Sequence, residues 1–134
     1  MSRILVDSSV WVEMFRMADF PEVQALGRLS QEGLLCTNGL IRAEILSGAR
    51  SQKQFDKLND LFSALTLLAD PPDLWDKIAK ARYRLARKGF QAGIADLIVG
   101  VSAAYHRKPL WTLDKAFLQL KVVLGFELFS IPKH

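Results

Sequence analysis

"RILVDSSVW" (residues 3–11) runs three apolar residues directly into a carboxylate. The run Ile4–Val6 is typical of a buried strand, Asp7 stands at its C-terminal end, and Ser8 and Ser9 can begin a helix. Because Asp is also a common helix N-cap, a structural and a functional interpretation of Asp7 both remain open at this point. The stretch predicts a strand that ends at an acid and turns at once into a helix.

The same alternation of strand and helix continues along the chain. Further apolar runs predict strands, which with the first are Ile4–Val6, Leu34–Thr37, Leu65–Leu68, Leu110–Thr112 and Glu127–Ile131. The helix-length segments between them cover about 9–17, 22–31, 39–49, 52–62, 73–88, 94–106 and 114–120. Strands that are apolar on both faces and alternate with helices indicate an α/β three-layer sandwich with a mainly parallel central sheet of about five strands. Sites in such sheets form beyond the carboxyl ends of the strands.

Length and composition restrict the chemistry that is available. A chain of 134 residues is expected to form one domain over residues 1–134, with a core that needs no disulfide or structural metal. The single cysteine, Cys36, excludes an internal disulfide framework and a Cys-rich zinc site. The two histidines, His106 and His134, are too few to favour a His-based metal site or two-histidine RNA cleavage. Carboxylate chemistry is what remains.

The chain has no pattern typical of membrane proteins or secreted proteins. No apolar run approaches the ~18 residues that a membrane span needs, and the first residues lack the features of a signal peptide. We therefore expect a cytoplasmic protein without a membrane partner. The formal net charge of +4 favours anionic partners only weakly.

Basic residues concentrate in the segment that ends "RLARKG" (residues 84–89). Cations in the last turns of a helix are favoured by its dipole, and a glycine suits the position beyond, so a purely structural account is complete. The alternative is contact with nucleic-acid phosphates. The candidate RNA-binding residues are Lys80, Arg82, Arg84, Arg87 and Lys88.

Two further acids have positions that an ordinary solvated face does not explain. Glu44, in "NGLIRAEILSG" (residues 38–48), falls near the middle of an apolar stripe of its helix, where a glutamate is rarely only solvated, so the position favours a functional role. Asp114 follows the apolar run of "PLWTLD" (residues 109–114), as Asp7 follows the first run. Capping of the next helix is the structural alternative for Asp114.

Asp96, in "GIADLIVG" (residues 93–100), is the most conspicuous acid. It lies about 150° from the main apolar stripe of its helix, and an acid in a first turn also suits the helix dipole. Its neighbours on that side are nevertheless small or apolar, namely Val99, Gly100 and Ala103. Small side chains at these positions allow another group to approach closely. The predicted apolar stripe itself consists of Ile94, Leu97, Ile98, Val101 and Tyr105.

Taken together, the four acids predict a cation site. Two follow strand ends and two lie on helices that begin after strands or turns, so a parallel sheet could bring all four to one edge. Carboxylates within about 4–6 Å of one another raise each other's pKa, and a hard divalent cation removes the conflict. Oxygen ligands suit Mg²⁺ or Mn²⁺ rather than zinc, and such an ion activates water against a phosphate. Metal-assisted phosphodiester hydrolysis is the reaction class that this set favours.

At these positions the sequence resembles PIN-domain ribonucleases, and more narrowly the VapC-type toxins of toxin–antitoxin pairs. The matching pieces are "ILVDSSVWVE" (4–13), "IRAEILSGA" (41–49), "GIADLIVGVSAA" (93–104) and "PLWTLDKAF" (109–117). Their order and spacing match essentially the whole chain. The combination is specific, although each piece alone is not.

The resemblance implies a fold, a site and partners. It implies a parallel sheet flanked by helices and the catalytic acids Asp7, Glu44, Asp96 and Asp114 around Mg²⁺ or Mn²⁺, with Asp7, Asp96 and Asp114 as metal ligands. Ser9 and Thr112 would support the site through hydrogen bonds. Cleavage of structured RNA, often transfer or ribosomal RNA, is implied, with a homodimer and a cognate antitoxin that fills the active groove.

The sequence departs from the family pattern at one place. It also leaves open which of the alternative functions applies and what the apolar face of the first helix contacts. Many relatives carry another acid two residues after the fourth, where this chain has Ala116, so we expect one firmly held ion. The alternative functions are a phosphoacceptor receiver domain, echoed by Asp70 and Lys108, and a catalytically inactive PIN-like binding module. The apolar set on the first helix is either core or part of a dimer or antitoxin surface, and consists of Val10, Trp11, Met14 and Phe15.

Overall fold

The computed structural model describes residues 3–16 and 23–131 as an α/β fold. Its strands are β1 (Ile4–Val6), β2 (Leu35–Asn38), β3 (Thr66–Leu68) and β4 (Leu110–Trp111), and they form one parallel sheet in the order β3-β2-β1-β4. The fifth predicted strand contributes a single parallel bridge between Leu128 and Leu110, so the sheet has four strands rather than about five. A parallel sheet flanked by helices is confirmed.

Seven helices account for the predicted helical segments in the described part of the chain. They are α1 (Ser8–Arg16), α2 (Val23–Gln31), α3 (Gly39–Ser47), α4 (Gln52–Ser63), α5 (Leu74–Arg87), α6 (Ile94–His106) and α7 (Phe117–Leu124). The ends predicted at residues 17 and 22 lie outside the described residues. The described helices are all too short or too polar to cross a membrane.

Burial along the strands follows from their places in the sheet. The central strands β1 and β2 are buried throughout; β1 is entirely apolar, as expected of such a strand, whereas β2 ends in the buried polar residues Thr37 and Asn38. At the edge of the sheet, β3 exposes Thr66 and Leu67 and buries only Leu68. The open edge of β3 therefore carries an exposed leucine, at 56% of its surface.

The first helix contributes to the core on one side only. Val10 and Trp11 are buried, and the Trp11 ring lies 4.9 Å from the ring of Phe62 on α4. Met14 is partly buried and Phe15 is exposed at 46%. The apolar set on α1 thus divides into two core residues and a more exposed pair.

Helix α6 packs differently from the prediction. Ile94 and Tyr105, both assigned to the apolar stripe, are exposed, whereas the opposite side with Val99, Gly100 and Ala103 is buried. The predicted stripe is therefore wrong in part, because α6 packs against α5, α3 and α7 and not against one layer alone. The close approach expected on the small-residue side is made by α7: a Cβ added at Gly100 would lie 2.8 Å from Cδ1 of Leu124.

Register determines which residues meet at the carboxyl edge of the sheet. Val6 pairs with Trp111, and the backbone N–H of Asp7 donates to the Trp111 carbonyl at 2.9 Å. The next residue of each strand, Asp7 and Thr112, therefore comes side by side. The two strand ends form the floor of the cleft described next.

Candidate active site

A cleft of about 580 Å³ lies at this carboxyl edge, between α1, α3, α6 and the segment after β4. All four predicted acids line it: Asp7, Glu44, Asp96 and Asp114. Within the described part of the chain its lining includes no lysine or arginine. The fold therefore gathers these four carboxylates without a lysine or arginine in the described lining to pair with them.

Asp7 is held in place by two hydroxyl groups. Its side chain is 6% exposed, and its Oδ2 accepts hydrogen bonds from Ser9 Oγ at 2.7 Å and Thr112 Oγ1 at 2.8 Å. Each hydroxyl also accepts a backbone N–H at 3.0 Å, from Leu113 and Asp114 respectively. Each hydroxyl has one proton. It acts as acceptor toward the backbone N–H, so its proton is free to be donated to the Asp7 carboxylate, which can only accept. The contact of 3.3 Å between the two hydroxyls is therefore not an additional hydrogen bond.

These bonds also decide between the two interpretations of Asp7. Helix α1 begins at Ser8, and the carbonyl oxygen of Asp7 accepts from Val10 N and Trp11 N. The side-chain hydrogen bonds of Asp7 in the described structure run instead to hydroxyls, one of them 105 residues away. Asp7 is thus a carboxylate oriented by its neighbours and not a side-chain N-cap.

Asp96 lies in the first turn of α6 and is half-buried. Burial, followed by the charges of Asp114, Asp7 and Glu44, raises its pKa to about 6. The three acids disfavour the ionised form, and the described lining of the cleft has no lysine or arginine to offset them. The position in the first turn, which suits the helix dipole, does not cancel this repulsion.

Glu44 reaches the cleft from a helix whose start is well defined. Asn38, at the end of β2, caps α3 by accepting the Ile41 N–H at 2.9 Å. Burial raises the pKa of Glu44, the charge of Asp7 raises it further, and a hydrogen bond from the Ser8 hydroxyl lowers it. Glu44 is exposed at the cleft, so it lies beside the buried side of α3 and not in the middle of it. The core side of α3 consists of Ile41, Ile45 and Leu46.

Asp114 is oriented by the turn that follows β4. Its Oδ1 accepts the backbone N–H of Ala116 at 2.9 Å, and helix α7 begins only at Phe117. The side chain therefore stabilises a tight turn before the helix rather than capping the helix itself. Its second carboxylate oxygen has no hydrogen-bond partner among the described residues.

Glu13 also lines the cleft and was missed by sequence reasoning. It lies one turn after Ser9 on α1, and residues four apart share a helix face, so helical spacing could have indicated it. Glu13 forms an ion pair of 3.2 Å with Arg16, whose side chain is 70% exposed. Glu13 thus adds a fifth acid to the cleft, although it is partly neutralised.

Among the described residues, Cys36 and His106 do not line the cleft, and His134 lies outside the described part of the chain. Burial raises the pKa of the Cys36 thiol to about 11, so it is not a thiolate at neutral pH. His106 Nε2 donates to the Ala69 carbonyl oxygen at 2.7 Å. Asp70 and Lys108, the two residues that echoed a receiver domain, do not line the cleft either. The chemistry of the cleft is that of carboxylates.

The basic residues of α5 lie outside the cleft. All five, Lys80, Arg82, Arg84, Arg87 and Lys88, are exposed, and none lines it. Lys77 near the start of α5 packs over the ring of Tyr105 near the end of α6, at 5.7 Å, so the two packed helices run antiparallel. The C-terminal end of α5 is therefore at the Asp96 end of α6. A role for these residues in RNA binding stays a prediction.

The donor set fits a hard divalent cation in its chemistry, since every ligating group that lines the cleft is an oxygen. Burial and then the neighbouring carboxylates raise the pKa of Asp96, and such a cation would offset the negative charge of those neighbours. In residues 3–16 and 23–131, no three His, Cys, Asp or Glu side chains are already arranged to hold a metal ion. The carboxylates would have to move closer together to bind one.

Comparison with known proteins gives a family and a fold. The family model described as PIN domain matches residues 4–123. No curated protein matches the chain.

Solved structures cover nearly the whole chain at low identity. One of them is VapBC2 from Rickettsia felis, in a structure bound to a DNA fragment from the VapBC2 promoter. It is 19% identical with a TM-score of 0.74, over 96% of this chain and 98% of that chain. VapBC-1 from nontypeable Haemophilus influenzae is 18% identical with a TM-score of 0.75, over 95% and 96%. FitAcB from Neisseria gonorrhoeae is 21% identical with a TM-score of 0.71, over 95% and 96%. At these identities the likeness shows the fold alone.

Proposed function

The chain belongs to the PIN domain family, and on that premise we propose that it is a metal-dependent endoribonuclease that hydrolyses RNA phosphodiester bonds. PIN domains are generally nucleases, and they generally use a divalent metal. The observation that carries the proposal is the convergence of Asp7, Glu44, Asp96 and Asp114 in one cleft without a neutralising lysine or arginine in its described lining.

We propose two roles for the four acids: three would hold the metal ion, and the fourth would orient the attacking water. Asp7, Asp96 and Asp114 would hold Mg²⁺ or Mn²⁺, since Asp7 and Asp114 each keep one carboxylate oxygen that makes no hydrogen bond to the described residues. When bound, the ion supplies positive charge that acidifies water and neutralises the phosphate. With Ala116 in place of a further acid, we propose that one ion is firmly held.

Glu44 is the acid proposed to orient the attacking water and to accept its proton. It lies on the exposed side of the cleft, where water and substrate enter, and its raised pKa makes it a better proton acceptor than an ordinary glutamate. The Ser8 hydroxyl donates to its carboxylate and so restricts its orientation. Ser9 and Thr112 act indirectly, by fixing Asp7.

The direct test is RNA cleavage by the purified protein with Mn²⁺ or Mg²⁺. Asp7→Asn and Asp96→Asn should abolish cleavage while the far-UV circular dichroism stays that of the wild type. Asp70→Asn, outside the cleft, serves as the matched control and should cleave normally. Cleavage that persists in the Asp7→Asn protein would refute the assignment, and an inactive wild type would favour the binding-module alternative.

We further propose that the nuclease is the toxin of a toxin–antitoxin pair. Structures of VapBC and FitAcB share its fold, which supports a cognate antitoxin as the partner. With RNA as substrate, transfer or ribosomal RNA being the candidates, the proposed activity belongs in the cytoplasm. Expression in a bacterial host should arrest growth with the wild type and not with Asp7→Asn. Equal growth of the two strains, at equal protein levels, would count against a toxin.

A homodimer is the proposed assembly. It is supported by helix α7, which exposes Leu118 at 54% and Val122 at 69%, one turn apart on the same face. Sedimentation analysis should give a dimer for the wild type and a monomer for Val122→Glu. A wild-type monomer at all concentrations would exclude this assembly.

A further inference from the structure

A second groove lies beside the acidic cleft, between α1 and the α3–α4 pair. It has a volume of about 550 Å³ and shares Val12 and Glu44 with the cleft, so the two cavities adjoin each other. Its walls carry Arg16 at the end of α1 and Arg50 in the turn between α3 and α4. The path from cleft to groove thus passes from carboxylates to guanidinium groups.

Both arginines keep donors for a ligand. Arg16 uses one guanidinium nitrogen on Glu13, in an exposed ion pair of the kind that contributes little to stability, and a guanidinium has five N–H donors. The backbone N–H of Arg50 donates to Gln54 Oε1 at 2.6 Å, which orders the turn. The guanidinium group of Arg50 has no hydrogen-bond or ion-pair partner within residues 3–16 and 23–131. Two cations are therefore presented to the groove.

The groove also contains an exposed aromatic ring. Phe15 stacks on the buried Trp11, with 6.2 Å between ring centroids and an angle of 22° between planes, yet 46% of its surface is exposed. Trp11 fixes the orientation of the ring from one side, and the groove is open to the other. Aromatic rings of this kind bind unpaired bases by stacking, without sequence preference.

We propose that this groove holds the single-stranded RNA segment next to the bond that is cut, with phosphates on Arg16 and Arg50 and a base on Phe15. This inference rests on the proposed nuclease function and names a substrate path for it. A polyanion that enters a cleft of five acids needs compensating cations nearby, and these two arginines stand in the cavity that adjoins the cleft. Charge complementarity and the shared border with the cleft both favour RNA as the occupant.

Gly48 allows a sharp test because it lines the groove and tolerates a side chain. Its backbone is in the ordinary right-handed region, with φ −82°, and an added Cβ would meet only backbone oxygens at 3.5 and 3.6 Å. Gly48→Lys and Gly48→Glu place opposite charges of similar size in the groove. Ala64, the exposed C-cap of α4 with φ −84°, has the same conformation outside the groove, so Ala64→Lys and Ala64→Glu are matched controls.

The measurement is binding of a short fluorescein-labelled single-stranded RNA of mixed sequence, in EDTA, over a series of salt concentrations. Relative to wild type, Gly48→Lys should tighten binding and Gly48→Glu should weaken it several-fold, while the Ala64 pair should differ much less. Arg50→Ala should reduce the slope of log affinity against log salt by about 0.7, the value for one phosphate contact on a single strand. Phe15→Leu should weaken binding without changing that slope.

The outcomes separate this inference from the proposed function. If the wild type cleaves RNA but the Gly48 pair differs no more than the Ala64 pair, the groove does not hold RNA, and the inference fails while the nuclease stands. If the Gly48 and Arg50 effects appear but no metal-dependent cleavage is found, the groove binds RNA and the proposed catalysis fails. Equal melting temperatures of each Lys and Glu pair will exclude a folding defect.

Discussion

The Thr112 hydroxyl donates a 2.8 Å hydrogen bond to Oδ2 of Asp7, which joins two residues that are 105 positions apart. The same hydroxyl accepts the Asp114 N–H at 3.0 Å, so it links the acid at the end of β1 to the acid that follows β4. One side chain therefore positions two of the proposed metal ligands. It does so only because the register places Thr112 beside Asp7.

Thr112→Val should damage the site without removing a carboxylate. Asp7 loses one of two hydroxyl donors and the Asp114 N–H loses its acceptor, so we expect the free energy of unfolding to fall by about 1–3 kcal/mol. RNA cleavage should fall strongly as well. Thr112→Ser keeps the hydroxyl and should retain most of the stability and most of the cleavage activity. Urea denaturation and cleavage assays measure the two effects, and an unimpaired Thr112→Val protein would show that the hydrogen bond is dispensable.

Asp96→Asn should stabilise the metal-free protein at neutral pH. The pKa of Asp96 is raised from 3.8 to about 6, so the folded protein binds this proton more tightly than the unfolded chain. Wild-type stability relative to the variant should therefore fall as the pH rises from 3.8 to about 6 and stay constant above. Thermal melts in EDTA across this range will test it. A difference that does not depend on pH would contradict the raised pKa.

A divalent metal ion should raise the melting temperature of the wild type, and the rise should be smaller at acidic pH than at neutral pH. Mn²⁺ held by the carboxylates would bind the folded state and not the unfolded chain, so it should raise the melting temperature. Because protons compete for Asp96, the rise should be smaller at about pH 5 than at about pH 7. Asp114→Asn should lose most of the rise, and Asp70→Asn should keep it. An equal rise in all three proteins would place the ion elsewhere.

Gly100→Val should destabilise the contact between α6 and α7. Even a single added Cβ at this position would lie 2.8 Å from Leu124 Cδ1 and 3.3 Å from Phe126 Cε1. A valine side chain is larger still and should overpack the contact at a cost of about 1–3 kcal/mol. Leu124→Ala in the same protein should recover part of the loss, since it removes the nearest obstacle. The coupling is read from urea denaturation of both single variants and the double variant. Strict additivity would show that the two residues do not oppose each other.

How far the sequence predicts the site depends on the residue. Asp7 and Asp114 follow apolar strands, and parallel strands end at one edge, so their approach could be foreseen. Glu44 was singled out because an acid within an apolar stripe is rarely only solvated, but its exposed place at the cleft could not be foreseen, since it depends on the helix burying Ile41 and Ile45 and turning Glu44 outward. Glu13 was missed because its helix was considered only for its apolar residues.

The sequence alone determined the order of strands and helices, the parallel sheet and the acids at its strand ends. These depend on local periodicity and on side chains that are neighbours in the chain, which a sequence displays directly. Only the tertiary structure decided that Thr112 holds Asp7, that α7 covers the small-residue side of α6, and that the arginine groove adjoins the acidic cleft. Such contacts depend on strand register and helix packing between distant segments, and their free energy exists only once the chain is folded.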